Sequence, residues 1–258
     1  QWNDVAAEGG LRVITEGKGI RVKDIHGNWY YDGNAGSTLV NVGHGRQEIA
    51  QAVQEQLAVL HYATPLRYAT IPVIKLAQRI AALTPGDLNR VFFTCDGSES
   101  VEAALKIACQ YHVNRGDTKR TKFIGRNGSY HGATIGALSV TESTHMKSPV
   151  SGLQLLGDVF FAPQPLLYRC EFGSASLSEC ATRCAEAVEE IIKRERPETI
   201  AAVIAEPISS TAGVAVPGPE YWPMLRQICD RYGVLLIADE VLTGFGRTGK
   251  LWAFEHYN

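Results

Sequence analysis

Four clusters of acidic, hydroxyl-bearing and glycine residues each follow a short apolar run. They are Asp96-Gly97-Ser98, residues 128–132 (Gly-Ser-Tyr-His-Gly), Glu206-Pro207 and Asp239-Glu240. Three of them contain a carboxylate, and two place glycine beside a hydroxyl group. In an open parallel sheet, ligands bind just beyond the carboxyl ends of the strands. The clusters therefore predict a ligand site at one edge of such a sheet.

The segment 94–99 predicts the start of a helix that is preceded by glycine. Free backbone N–H groups and the helix dipole at such a start form a seat for a phosphate group. Asp96 and Glu99 also stand three residues apart, which is the spacing of a capping box. Both interpretations hold together if the Asp96 carboxylate turns into the cap, because it would otherwise repel a phosphate.

Asp239 directly follows the fully apolar run 234–238. A buried carboxylate is costly unless a cation or a hydrogen-bond donor meets it. The protonated ring nitrogen of a bound heterocycle would supply both, while a helix cap and a surface salt bridge are the simpler alternatives. Tyr130 could stack on such a ring, but taken alone its motif favours a buried tyrosine with a satisfied hydroxyl.

The hydrophobic periodicity predicts the elements that position these clusters. Alternation over residues 11–32 predicts a β-hairpin or meander, and residues 47–60 have helical spacing. Strands are predicted at 91–94, 122–124, 159–161, 200–204 and 234–237. Helices are predicted at 98–112 and 177–194, and a further one opens at Pro219 and closes at Gly233. Apolar strands that alternate with helices indicate an α/β fold, with a mainly parallel sheet covered on both faces.

Composition and charge exclude several classes of protein. With 25 basic and 27 acidic residues in 258, the net charge of −2 gives no general attraction to nucleic acid or to an anionic membrane. The apolar runs are too short for a transmembrane helix. Six cysteines are too few and too irregular for a disulfide framework. The expected location is therefore cytoplasmic, with an organelle left open because the chain starts at Gln1.

Cys170, Cys180 and Cys184 are the cysteines most suggestive of metal ligation. Cys180 and Cys184 share a face if their segment is helical. However, no fourth cysteine or histidine follows at the spacing of a zinc finger. We therefore expect no metal site.

Five segments together carry a resemblance to a known family. They are residues 234–249 (VLLIADEVLTGFGRTG), 92–106 (FFTCDGSESVEAALK), 130–132 (YHG), 205–207 (AEP) and 32–44. In this order they resemble the class III, pyridoxal-phosphate-dependent aminotransferases of fold type I, over nearly the whole chain. The resemblance implies that residues 63–258 are the large cofactor-binding domain, incomplete at its C-terminus. It also implies that residues 1–62 contribute to a small α+β domain.

The resemblance also implies a role for each cluster toward pyridoxal 5'-phosphate (PLP). The implied contacts are Gly97 and Ser98 to the phosphate, Tyr130 and Val241 to the two faces of the pyridine ring, Asp239 to the ring nitrogen and Glu206 as a further acid near the ring. A protonated ring nitrogen lets the cofactor withdraw electrons from the reacting carbon of the substrate. His131 lies within the motif but receives no role.

The implied activity is transfer of an amino group from an amine or amino acid to a keto acid such as pyruvate, by a homodimer. Thr211 stands where relatives acting on ornithine or 4-aminobutyrate carry a second glutamate, which favours the ω-amine and β-alanine:pyruvate branch. The family's Schiff-base lysine is expected beyond Asn258, because Lys250 comes too early. We therefore expect a fragment of a longer enzyme. A non-catalytic binding protein on the same scaffold, or a decarboxylase or racemase of the same family, stays an alternative.

Overall fold

A computed structural model describes residues 9–143 and 157–257 of the chain. The chain divides into two compact units, with the boundary between Val91 and Phe92. The predicted division at residue 62 concerns the small and large domains of the family, and it stays a prediction.

The first unit is built on a small antiparallel sheet that confirms the predicted meander. Its strands are β1 (Ile14–Lys18), β2 (Arg21–Asp24) and β3 (Trp29–Tyr31), in the order β1-β2-β3. Two helices follow, α1 (Gln47–Val59) and α2 (Ile71–Leu83). The turn between β2 and β3 reverses at Gly27, whose φ of +87° suits a residue without Cβ.

The Asp24 carboxylate fixes this turn. It accepts hydrogen bonds from the backbone N–H groups of His26 (3.0 Å) and Asn28 (2.9 Å), and from the Tyr30 hydroxyl (2.8 Å). Burial acts to raise the pKa of Asp24, but hydrogen bonds from Tyr30, Asn28 and His26 lower it from 3.8 to about 2. The charged carboxylate therefore stabilises the folded sheet.

We expect this stabilisation to be complete above pH 4 and to be lost as the pH falls from 3.8 toward 2, because the unfolded chain binds the proton first. In Asp24→Asn, the free energy of unfolding should be lower at neutral pH and should vary less over that interval. Denaturant unfolding at a series of pH values measures this. Glu16→Gln on β1, an exposed position, is the matched control, and an identical pH dependence in the two variants would contradict the prediction.

The second unit contains a four-stranded parallel sheet in the order β5-β4-β6-β7. Its strands are β4 (Lys122–Arg126), β5 (Val159–Ala162), β6 (Ile200–Ala205) and β7 (Leu235–Ala238). Its helices are α3 (Gly97–Asn114), α4 (Ile135–Ser139), α5 (Leu177–Arg194) and α6 (Tyr221–Tyr232). Short 3-10 turns lie at Leu167–Arg169, Pro197–Thr199 and Ala253–His256.

The helices cover the sheet on both faces, as the sequence predicts. Apolar residues of α5 and α6 form one buried cluster with Ile124 and Val203, while α3 and α4 form a second cluster with Phe123 and Ile204. Every residue of the central strand β6 is buried, because both its faces meet helices. The α/β fold is therefore confirmed.

Two predictions of secondary structure need correction, one of a strand and one of the start of a helix. Residues 91–94 form no strand within the described part of the chain, and Phe92 is 73% exposed. An apolar run becomes a strand only where another strand pairs with it, and hydrophobicity alone does not show that pairing. The helix predicted to open at Pro219 begins at Tyr221, and it ends at Gly233 in the left-handed conformation, as predicted.

Among the described residues, no helix combines the length and the apolar character that crossing a membrane requires.

Candidate active site

The carboxyl ends of three adjacent strands bring the predicted clusters together. Ala205 of β6 pairs with Ala238 of β7, so the next residues, Glu206 and Asp239, leave the sheet side by side. The Asp239 N–H continues this pairing by donating to the Ala205 carbonyl (2.9 Å). The segment 128–132 follows β4, which pairs with β6 on its other side. Parallel pairing therefore places these side chains at one edge of the sheet.

Two donors fix the orientation of the Asp239 carboxylate. Its Oδ2 lies 2.7 Å from Nδ1 of His131, and its Oδ1 accepts a hydrogen bond from the Val241 N–H (3.1 Å). Asp239 is only 8% exposed. A carboxylate that accepts two hydrogen bonds in this way has further lone pairs with which to accept from a ligand.

His131 connects Asp239 to the second acid of the site. Its side chain is fully buried, and Nε2 lies 3.9 Å from Oε2 of Glu206. Within the described residues, Nε2 has no hydrogen-bond partner. The backbone N–H of His131 donates to the Thr141 hydroxyl (2.9 Å), which holds the residue in place. His131 thus orients Asp239, the acid to which the family resemblance gives the contact with the ring nitrogen, and the motif itself does not reveal this role.

Glu206 is held from three directions. One oxygen, Oε1, accepts hydrogen bonds from the Tyr130 N–H (3.2 Å) and the Ser209 hydroxyl (3.0 Å). The other oxygen, Oε2, lies 3.2 Å from Nη2 of Arg126, which also donates to the backbone carbonyl of Glu206. The second acid is therefore bound to the loop that carries Tyr130.

Arg126 is a site residue that sequence reasoning missed. It ends β4, is 1% exposed, and lies with its guanidinium carbon 5.6 Å from the centroid of the Tyr221 ring. Arginine is almost never fully buried unless it is paired. The available signal was an arginine directly after the apolar residues of a strand, although the sequence names no partner for it.

The start of α3 has only part of the capping box that the spacing predicts, because Glu99 accepts from the Cys95 N–H and not from that of the N-cap residue Asp96. The Asp96 carboxylate accepts from the Glu99 N–H (2.9 Å), and the Glu99 carboxylate accepts from the Cys95 N–H (2.9 Å). The acid of this motif is thus turned into the cap, as a phosphate seat at the same place would require. An 18-residue helix also gives its N-terminus the full effect of the helix dipole.

Gly97 and Ser98, which begin α3, lie close to residues of the other clusters. A Cβ on Gly97 would lie 3.4 Å from both γ-carbons of Val241. The Ser98 hydroxyl accepts from the Ala133 N–H (3.1 Å), and a Cβ on Gly132 would lie only 2.7 Å from that oxygen. The helix start therefore meets both the segment after β4 and the segment after β7.

Two apolar side chains of the site are open to a ligand. Val241 is 67% exposed, and Tyr130 is half-buried. An exposed valine and a half-exposed aromatic ring suit the two faces of a flat heterocycle. Thr211, which bears on the branch of the family, donates its hydroxyl to the Gly128 carbonyl (2.8 Å).

Taken together, these groups fit PLP. The capped helix start provides N–H groups and the Ser98 hydroxyl for a phosphate. Asp239 provides an oriented, buried carboxylate for a protonated nitrogen.

The comparison with known proteins agrees with this chemistry. The family model described as "Aminotransferase class-III" matches residues 4–258. A probable aminotransferase of Mycobacterium tuberculosis is 42% identical over 94% of this chain and 52% of its own length. A putrescine–pyruvate aminotransferase of Pseudomonas aeruginosa is 38% identical over 97% of this chain and 54% of its own length.

Solved structures show the same relationship. An (S)-enantioselective ω-transaminase from Thermomicrobium roseum superposes with a TM-score of 0.92, at 40% identity over 100% of this chain and 56% of its own. An amine transaminase from an uncultivated Pseudomonas species, solved in its PLP-bound form, gives 0.91 at 36% identity, over 97% of this chain and 56% of its own. The chain spans about half the length of these relatives. The family match and these identities together show that the chain belongs to the class III aminotransferases, with the fold of their PLP-binding members.

Proposed function

We propose that this chain forms the cofactor-binding part of a PLP-dependent aminotransferase, which moves an amino group from an amine or amino acid to a keto acid such as pyruvate. The observation that carries the proposal is the buried Asp239 carboxylate, oriented by His131 and by the Val241 N–H. Family membership supports it, as do relatives named as putrescine–pyruvate aminotransferase and ω-transaminase.

The N-terminus of α3 would hold the phosphate of the cofactor. Gly97 has no side chain, so a ligand can approach the backbone closely. The backbone N–H groups at the start of α3 and the Ser98 hydroxyl are hydrogen-bond donors. The helix dipole adds favourable electrostatics for a bound anion. The Asp96 carboxylate caps the helix by accepting from the Glu99 N–H, and it is therefore turned away from a bound phosphate.

Asp239 would keep a proton on the ring nitrogen. When bound, PLP supplies the electron sink that stabilises negative charge on the reacting carbon of the substrate. The protein's contribution is the carboxylate of Asp239, which is buried and held in a fixed direction. His131 orients the Asp239 carboxylate. Glu206 lies 3.9 Å from the other nitrogen of the His131 ring and accepts a hydrogen bond from the Tyr130 N–H.

Tyr130 would cover one face of the ring, and Val241 the other. We expect Tyr130→Ala to weaken cofactor retention by about tenfold, because the loss of an aromatic stacking contact is of that size. Spectroscopic titration of the apoprotein with PLP measures the effect. Tyr111→Ala, at an exposed position toward the other end of α3, is the matched control. Equal retention in both variants would return Tyr130 to a purely structural role.

The protein is proposed to act as a homodimer in the cytoplasm. For the homodimer, the family resemblance is joined by one observation: α1 exposes Ile49, Val53 and Leu57, which are spaced four residues apart along one face. An apolar stripe of this kind marks an interaction surface. Sedimentation velocity should show a dimer that Val53→Glu dissociates, and a monomeric wild type would contradict the proposal.

The proposed reaction is tested with the full-length protein that contains this chain. Incubation with PLP, borohydride reduction and peptide mapping should locate the cofactor on a lysine. In a separate sample that has not been reduced, amino donors and pyruvate should give alanine. Retention of PLP without any alanine would favour the binding protein, and loss of carbon dioxide or inversion of configuration would favour a decarboxylase or racemase.

A further inference from the structure

Three cysteine sulfurs that belong to none of the clusters described above lie close together in the second unit. The Sγ atoms of Cys170, Cys180 and Cys184 all lie within 4.8 Å of one another. All three are free thiols. The sequence spacing predicts no metal site here, because no fourth cysteine or histidine follows at the spacing of a zinc finger.

Two different elements bring the sulfurs together. Cys180 and Cys184 lie one turn apart on α5, and both are fully buried. Cys170 follows the 3-10 turn at Leu167–Arg169, and its carbonyl accepts a hydrogen bond from the Gly173 N–H (2.9 Å). Cys170 is only half-buried, so a small ion can reach the cluster from solvent on its side.

Apolar packing alone does not require this convergence. Cys229 is buried in the same apolar cluster as Cys180 and Cys184, yet it is not part of the three-sulfur group. A cysteine that only fills space behaves as a small hydrophobe and needs no sulfur neighbours. Three sulfurs that all lie within 4.8 Å of one another are close enough to ligate a single ion.

The distances suit a three-coordinate ion. Metal–thiolate bonds of about 2.3 Å in a trigonal arrangement place the sulfurs about 4.0 Å apart. The sulfurs therefore need to move by less than about 1 Å to bind such an ion. Cys170 is only half-buried, so rotation of its side chain, away from the Ser174 hydroxyl to which its thiol now donates (3.3 Å), provides such a movement.

The donor set selects the kind of ion. Thiolates are soft ligands, which favour Cu(I), zinc and iron–sulfur clusters. Structural zinc sites take four ligands, and the group contains three sulfurs without an imidazole or a carboxylate.

We propose that Cys170, Cys180 and Cys184 form a binding site for one monovalent copper ion. The ion takes the place of the S–H protons of the thiols that ligate it as thiolates, and these protons pass to solvent. The oxidation state of copper does not change, and no bond between sulfurs forms.

Anaerobic titration of the purified protein with Cu(I), in competition with a chromophoric Cu(I) chelator, tests the proposal. We expect one tight site per chain, weakened by more than about tenfold in Cys170→Ser and in Cys184→Ala, since even partners outside the ligand shell have effects of that size. Cys229→Ala is the matched control and should bind as the wild type does. Cys184 lies in the core, so Cys184→Ala could prevent folding. Cys170 is only half-buried, so Cys170→Ser alone still tests the proposal in that case.

Alkylation gives a second readout that does not depend on the chelator. Bound Cu(I) should slow the reaction of Cys170 with iodoacetamide, while the exposed Cys95 reacts at an unchanged rate and serves as the internal reference. Equal Cu(I) affinity in wild type and Cys170→Ser would overturn the proposal. Tighter binding of Zn²⁺ than of Cu(I) by the same three sulfurs would overturn the choice of ion.

Discussion

Asp239→Asn in the full-length protein should lower the rate of amino transfer by about a hundredfold or more, with the phosphate contacts retained. Asparagine has nearly the same shape but no charge, so it cannot hold a proton on the ring nitrogen. Loss of one preorganised electrostatic contact in a buried site has an effect of this size. Single-turnover kinetics with a saturating amine donor measure the rate.

The control for this substitution is Asp230→Asn. It makes the same chemical change at an exposed position on α6, where the carboxylate pairs with Arg226 (2.7 Å). Asp230→Asn should react at the wild-type rate. If Asp239→Asn also reacts at that rate, the proposed pairing of Asp239 with the cofactor is wrong.

Arg126→Met should lower the free energy of unfolding by about 3–5 kcal/mol, the largest stability effect that we expect in this chain. Methionine fits the space of the arginine stem, but it leaves the Glu206 carboxylate buried at 5% exposure without its cation. An isolated buried charge is far costlier than a buried pair. Denaturant unfolding followed by tryptophan fluorescence and by circular dichroism measures the change.

Two further variants separate loss of charge from loss of packing. Arg231→Met removes an arginine from an exposed ion pair with Glu189, and it should cost no more than about 1 kcal/mol. Adding Glu206→Gln to Arg126→Met removes the stranded charge and should recover part of the loss. Equal costs for Arg126→Met and Arg231→Met would show that the buried pair is not the source of the stability.

The sequence predicted where the site residues stand, but not how they contact one another. Glu206 and Asp239 follow apolar strands, and the rule for parallel sheets is enough to place both at one edge. The bond between His131 and Asp239 joins residues 108 positions apart, and it depends on strand order, which no local pattern encodes. Arg126 was missed for the same reason, since a charge at a strand end is ordinarily solvated.

Two other differences have the same physical origin. Residues 91–94 have the composition of a strand. They do not form one, because no described strand pairs with them. The spacing of Cys180 and Cys184 revealed two members of the thiol cluster, but Cys170 reaches it from a separate turn. The helix α5, whose hydrogen bonds are local, was predicted with its observed bounds, but α2 and α4 were not predicted.

The contacts of Asp239 also bear on the order of events during folding. Its N–H is bound to β6 and its carboxylate to the segment after β4, so its orientation exists only once β4, β6 and β7 are in register. Parallel pairs join distant parts of a chain and form slowly compared with helices. Binding of the cofactor must therefore follow the pairing of these strands. The time at which a refolding chain first binds PLP would report when β4, β6 and β7 have paired.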